Sequence, residues 1–222
     1  MKPVVLRDIP ISLDAVELAA QLRVEPGSED FEALQSLIAG VSRVARPKAV
    51  FTTSFITGRG EDFVELDGIE MKSRVMPANF KEIHRAFPYV ATCGAEADEW
   101  SRGIADPLYA WWADALKLHL LGDAIKCLGG HLKNALRLGK FSSMNPGSLP
   151  DWPITEQTKV FALLGDVKAY TGVALTESML MLPTKSVSGI YFETAKSFEN
   201  CELCARRNCP GRRKPFSGST EN

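Results

Sequence analysis

The sequence predicts an α+β fold, a twisted, mainly antiparallel sheet with helices packed against it. Three observations lead there. Amphipathic segments bounded by helix start and stop signals occupy residues 12–26, 28–47 and 106–130. Runs of β-branched and aromatic residues at 49–57 and 63–68, separated by a polar turn, read as a hairpin. Residues 145–192 then compress a loop, a helix and two short apolar runs into one stretch. The 222 residues suffice to bury a sizeable core. They are expected to form a single unit over 1–213, with a helical and hairpin N-terminal half (1–140) and a motif-bearing half (141–213), and a polar, disordered tail over 214–222.

Charge and composition narrow the function. A formal net charge of -1 and a pI near 6.3 argue against a general nucleic-acid or membrane-surface binder, so the expected partner is a protein or a small molecule. No apolar run reaches the length of a membrane span, and acids appear by Asp8, so neither a transmembrane helix nor a signal peptide is expected and the protein reads as cytoplasmic. Five cysteines, three of them within nine residues, fit reduced thiols or a metal better than a secreted disulfide framework.

Taken in order, Val4 to Leu6 supplies a short strand limited by Pro3 and Pro10. Ser12 is the expected cap of a first helix that Pro26-Gly27 ends, and Ser28 opens a second that Pro47 stops. Ala49 to Thr57 is a strand, Phe63 to Gly68 its hairpin partner, and Ile69 to Val75 extends the sheet. Pro77 to Ala86 reads as a short helix and Pro88 to Gly94 as a buried strand. Its Thr92-Cys93-Gly94 end, just before a helix, is the kind of place where α/β layouts bind ligands. Asp106-Pro107 caps a long, largely apolar helix that Gly129-Gly130 should end or bend. Prolines and a glycine between Asn145 and Pro153 dictate an ordered loop, Thr155 can cap the helix that follows, and apolar runs on either side of Pro183-Thr184-Lys185 read as strand, turn, strand.

The string LTESMLMLPTKSVSGIYF (175–192), with the preceding PG, WP and TEQ steps and the helix between, resembles the C-terminal activation domain of cobalamin-dependent methionine synthase. That family has a loop, a helix, an LTES strand and an SVSG strand in the same order. The Thr-Cys-Gly turn is a second, weaker likeness. The resemblance implies an activation-domain-like fold, S-adenosylmethionine as the family's methyl donor, and cobalamin carried on a partner, either a corrinoid-binding protein or a methyltransferase. The family's donor site uses an arginine four residues before the loop glycine and a tyrosine just after it. Here those positions are Ser143 and Ser148, flanking Gly147. Serine can neither fork onto a carboxylate nor stack a ring, so the resemblance implies a retained scaffold with an altered S-adenosylmethionine site. The paired tyrosines that follow SVSG in the family fall on Glu199 and Asn200.

Candidate ligand-binding residues follow from these blocks: Gly147, Ser148, Asp151 and Trp152 in the loop, Glu177 and Ser178 in LTES, and Lys185, Ser186 and Ser188 around SVSG. Trp152 is an anchor if it is exposed. The bland reading of the polar residues is that they bond a tight turn and a strand edge, with Glu177 paired to Lys185. No catalytic residue is assigned. Cys201, Cys204 and Cys209 form C-x2-C-x4-C, a spacing at which thiolates can hold zinc or an iron-sulfur cluster, with Cys93, Cys127, a histidine or an exogenous group as fourth ligand. His119, Asp123, Cys127 and His131 recur every four residues on the long helix, a seam that reads more simply as interhelical packing than as a metal site. The function expected is an auxiliary or reactivation protein of corrinoid-dependent methyl transfer; the alternative is a protein-binding module with a structural zinc in its tail.

Overall fold

The computed structural model describes residues 2–194, 200–204, 206, 208, 209, 212 and 214–216. Strand β1 (Val4–Leu6) leads to helices α1 (Ala15–Leu22) and α2 (Glu29–Val44). The cap of α1 is Asp14 and not the expected Ser12: its carboxylate accepts from Val16 N at 2.9 Å and Glu17 N at 2.8 Å. Ser12 instead donates its backbone N–H to Asp123 on the long helix, at 2.8 Å. Ser28 caps α2 as expected.

The expected strand over 49–57 breaks at Thr52-Thr53 into β2 (Lys48–Phe51) and β3 (Ser54–Arg59), and β3 continues into β4 (Phe63–Leu66) and β5 (Ile69–Lys72). Both halves pair with one central strand. Helix α3 is only Val75–Asn79, so the residues after it are free to extend the central strand β6 to Arg85–Thr92. Pairing with β2 through Lys48↔Thr92 and with β3 through Ser54↔Ala86 bends the sheet along β6. Helix α4 (Ala95–Arg102) follows the Thr-Cys-Gly turn, and α5 (Pro107–Ala135) starts at the expected Asp106 cap. It then runs through Gly129-Gly130 without ending. Continued intrahelical bonding and the burial of Leu128 and Leu132 on either side of the two glycines outweigh their cost of roughly 1 kcal/mol each.

Strand β7 (Phe141–Met144), the loop 145–153, a 3-10 turn (Ile154–Glu156), α6 (Gln157–Leu164) and α7 (Val167–Thr171) precede the two-residue strands β8 (Ala174–Leu175) and β9 (Met181–Leu182). Strand β10 (Ser186–Glu193) and helix α8 (Asn200–Leu203) close the order. The apolar run after Gly172 is therefore a small hairpin of its own, β8 with β9. The second run, β10, joins the main sheet between β6 and β7, all antiparallel. Thr155 does not cap α6, which starts from the 3-10 turn without a side-chain cap.

Three cores organise these layers. The first lies on the sheet face covered by α6 and α7 and includes Val90, Met144, Trp152, Val160 and Ile190. The second lies between the opposite face and the C-terminal part of α5, around Phe51, Tyr89, Leu128 and Tyr191. The third joins α1, α2, α4 and the first half of α5 around Leu34, Cys93 and Trp112. No helix among the described residues is long and apolar enough to cross a membrane. The tail expected to be disordered lies outside the described residues from 217 onward, as does Glu199.

Candidate functional site

The organising loop begins at Asn145, whose side-chain amide donates to Tyr89 Oη and to the Ser188 carbonyl, both at 2.8 Å. Strand β10 must be bare at the crossing point. A Cβ on Gly189 would lie 2.4 Å from Asn145 Nδ2 and 2.6 Å from the Met144 carbonyl, which explains the glycine of SVSG. Gly147 sits at φ +80, and its N–H bonds the Trp152 carbonyl at 2.8 Å to close the loop on itself. Gly147 and Ser148 are exposed, and Ser143 is half-buried on β7 opposite Tyr191.

Most of the remaining loop and motif residues hold the scaffold. Trp152 is only 1% exposed within the first core, so it is not the exposed anchor that the sequence offered. Asp151 accepts from the Ser73 hydroxyl and from the N–H groups of Arg74 (3.0 Å) and Val75 (3.2 Å), tying the loop to the start of α3. Ser188 donates to Gln157 Oε1 at 2.9 Å, and the same amide donates to the Met179 carbonyl at 3.0 Å, so Gln157 joins LTES to SVSG. Ser186 Oγ bridges Thr92 Oγ1 at 2.9 Å and the Pro183 carbonyl at 2.7 Å. Within LTES, Thr176 Oγ1 accepts from Leu180 N and lies 3.0 Å from Ser178 Oγ, while Met179 takes φ +65, so the block is a tight turn between β8 and β9. Glu177 and Ser178 are exposed on that turn. Lys185 pairs with Asp114 on α5 at 2.7 Å and not with Glu177.

The end of β6 has more electrostatic content than its sequence suggests. Lys117 is 7% exposed, bonds Asp98 at 3.1 Å and lies 3.9 Å from Asp114. Asp98 also takes Arg102 at 3.0 Å, so alternating charges run Arg102, Asp98, Lys117, Asp114, Lys185 across α4, α5 and the turn before β10. Cys93 is fully buried beside this chain. Desolvation pushes its thiol up to about 12, with Asp98 adding to the shift and Lys117 opposing it. A group held neutral in this way is a poor metal ligand, because the ligand is the thiolate. An open cleft of about 570 Å³ lies between α4 and the β8–β9 hairpin, with Glu96, Asp98, Glu99 and Arg102 on one wall and Leu182 and Pro183 on the other. Glu96 pairs with Lys48 at 2.8 Å. The sequence marked this turn but missed Lys117, whose only signal was one cation inside an apolar helical face.

The four-residue stripe on α5 does not converge. His119 bonds Gln21 at 2.9 Å, Asp123 accepts from Ser12, Cys127 packs on the second core, and His131 packs against the Phe51 ring with centroids 5.5 Å apart. Among the described residues no group of three or more His, Cys, Asp or Glu side chains is gathered to hold an ion, and no disulfide joins any of the five cysteines. Cys201, Cys204 and Cys209 are half-buried in the tail, and Cys93 is buried in the third core.

Residues 142–203 match the sequence profile described as "Vitamin B12 dependent methionine synthase, activation domain". The span runs from β7 through SVSG to α8, where the hydrogen bonds that join Asn145, Gln157, Ser186 and Ser188 are concentrated. The chain resembles that activation domain. Its fold is also shared with the MetH reactivation domain, solved by crystallography bound to AdoHcy, at a TM-score of 0.61 and 15% identity over 90% of this chain and 81% of that one. At that identity the structural likeness establishes the fold. No curated protein matches the chain. The activation-domain likeness makes sense of the pattern: the motif residues are those that fix how β7, β10 and the β8–β9 hairpin meet.

Proposed function

We propose that the protein is an auxiliary factor of corrinoid-dependent methyl transfer that presents an activation-domain scaffold to a cobalamin-carrying partner. The observation that carries this reading is the coincidence of the family match with the hydrogen-bonded edge of β7, β10 and the LTES turn. Such a scaffold, acting as one unit over residues 1–213, would cover the corrinoid while inactive cob(II)alamin gains one electron and the resulting cob(I)alamin takes a methyl cation from a donor. Ser143 and Ser148 stand where the family grips S-adenosylmethionine, so on this reading the donor is weakly held or supplied by the partner. A metal or iron-sulfur centre at Cys201, Cys204 and Cys209 is the finer part of the proposal.

Complex formation tests it. The chain is expected to co-elute with a corrinoid protein poised as cob(II)alamin and to shift its visible spectrum. Separate elution with an unchanged spectrum, under reducing conditions and with or without S-adenosylmethionine, would reject the corrinoid partner.

A further inference from the structure

We propose that the outward face of α5 is a docking surface for an acidic face of the corrinoid-carrying partner, with Trp111 as its apolar anchor and Lys126 and Lys133 as its electrostatic guide. The inference rests on the corrinoid reading and specifies where the partner seats. Leu108, Trp111, Leu118, Lys126 and Lys133 are separated by multiples of three- and four-residue steps, so they fall on one stripe of this 29-residue helix, about 38 Å long. The stripe is divided. Its N-terminal half exposes Leu108 at 44% and both Trp111 and Leu118 at 56%, while its C-terminal half exposes the two lysines. The opposite side of α5, with Trp112, Leu116, Leu128 and Leu132, is buried in the third and second cores. A helix held along both cores presents the stripe already ordered, so little freedom is lost when a partner covers it.

Charge selects the partner. Residues 124–150 contain no acid and four cations, Lys126, Lys133, Arg137 and Lys140, all exposed. The whole chain has a formal net charge of -1, so taking away these four leaves a net -5 on the rest, and the cations are gathered here against the trend of the chain. Among the described residues none of the four is paired with an acid. Cations at a helix C-terminus offset its dipole, but that effect fades within the last turn, and Lys126 lies nine residues before Ala135 at the end of α5. Single exposed apolar residues are ordinary; three on one stripe, bordered by unpaired cations, mark an interaction surface. The basic end also reaches the motif-bearing edge. A Cβ on Gly129 would lie 3.6 Å from Phe141 Cζ at the start of β7, and Arg137 and Lys140 belong to the link from α5 to that strand. A partner that covers this edge meets the four cations, and the surface that complements them is acidic.

The test uses the full chain and a corrinoid protein poised as cob(II)alamin, with association and dissociation rates followed at low and at physiological salt. Lys126→Glu/Lys133→Glu should slow association about tenfold at low salt and flatten its salt dependence, with Lys126→Gln/Lys133→Gln falling between that variant and the parent. Trp111→Ala should speed dissociation about tenfold and leave association within about twofold. Lys81→Glu/Lys168→Glu makes the same change of net charge elsewhere and should slow association by no more than about threefold. All these side chains are exposed, so every variant should keep the parent's thermal transition. Rates that are the same for the parent and every variant overturn the docking surface and leave the corrinoid reading standing. Absence of any complex with the parent rejects both together. Binding of the parent to phosphatidylserine–phosphatidylcholine vesicles in preference to the corrinoid protein assigns the face to a membrane surface, and a dimer that Trp111→Ala dissociates assigns it to a second copy; either result overturns the proposal.

Discussion

Replacing Gly189 by alanine tests whether the SVSG block is a packing device. The new methyl would stand 2.4 Å from Asn145 Nδ2, 2.6 Å from the Met144 carbonyl and 3.0 Å from Tyr89 Cε1. The amide could swing away only by giving up its bonds to Tyr89 Oη and the Ser188 carbonyl. The Met144 carbonyl belongs to the β7–β10 ladder and cannot move without shifting the Ile190↔Met144 pair. Overpacking of this kind costs about 1–3 kcal/mol. Two displaced hydrogen bonds add about 1 kcal/mol each. The sum, about 3–5 kcal/mol, corresponds to a fall in Tm of roughly 6–20 °C for a chain of this size. Urea and thermal unfolding of parent, G189A, N145A and the double variant give a cycle. The double variant should be less destabilised than the sum of the singles by about 1 kcal/mol, because removing the amide relieves one of the two close contacts. A G189A protein within about 0.5 kcal/mol of the parent would refute the reasoning.

Other substitutions probe the turn and the loop. Cys93, raised to about 12 by burial, should resist alkylation at pH 8 in the native protein and react only on unfolding. Because its folded value lies above the unfolded one of 9.0, the native state holds the proton longer, and stability should fall as pH rises from 9.0 toward about 12. Subtracting the same profile for C93A isolates that slope, and identical slopes would count against a buried neutral thiol. K117M leaves Asp98 without its amine and should cost about 2 kcal/mol in urea unfolding, discounted from the fully buried case because Asp114 is half-exposed. D151A removes the acceptor for the Ser73 hydroxyl and two N–H groups at the start of α3, and should lower stability by about 1–2 kcal/mol. Calorimetry with S-adenosylmethionine should show at most weak binding by the parent and tighter binding by the S143R/S148Y variant; tight binding by the parent would show that the serines do not disable the site.

Much of the fold was legible because its signals are local. Ser28 and Asp106 sit where caps must sit, and the alternation in β4 and β5 has the period of a half-buried hairpin. The errors came from tertiary competition. Gly129 and Gly130 did not break α5, because packing along the second core outweighs the intrinsic preference. Asp14 and not Ser12 caps α1 because the helix starts only at Ala15, while the Ser12 backbone N–H is held by Asp123, more than a hundred residues away in sequence.

The candidate site was legible in its motifs but not in its roles. Trp152 and Asp151 looked like contact residues, and only their burial and partners reveal that one fills the first core and the other bonds the start of α3. Glu177 and Lys185 are close in sequence, yet Asp114 on α5 takes the lysine, which no pattern within the motif could disclose. In the sequence Arg212 is one cation among several near the cysteines; its reach to three cysteine carbonyls is a property of the folded tail.

The most direct measurement is the rate at which a corrinoid protein, poised as cob(II)alamin, regains its methylated form with a one-electron reductant and S-adenosylmethionine, with and without this chain. The corrinoid reading predicts a faster loss of the cob(II)alamin signal that saturates at one chain per corrinoid. Equal rates at every ratio, with no complex between the two proteins, would contradict it.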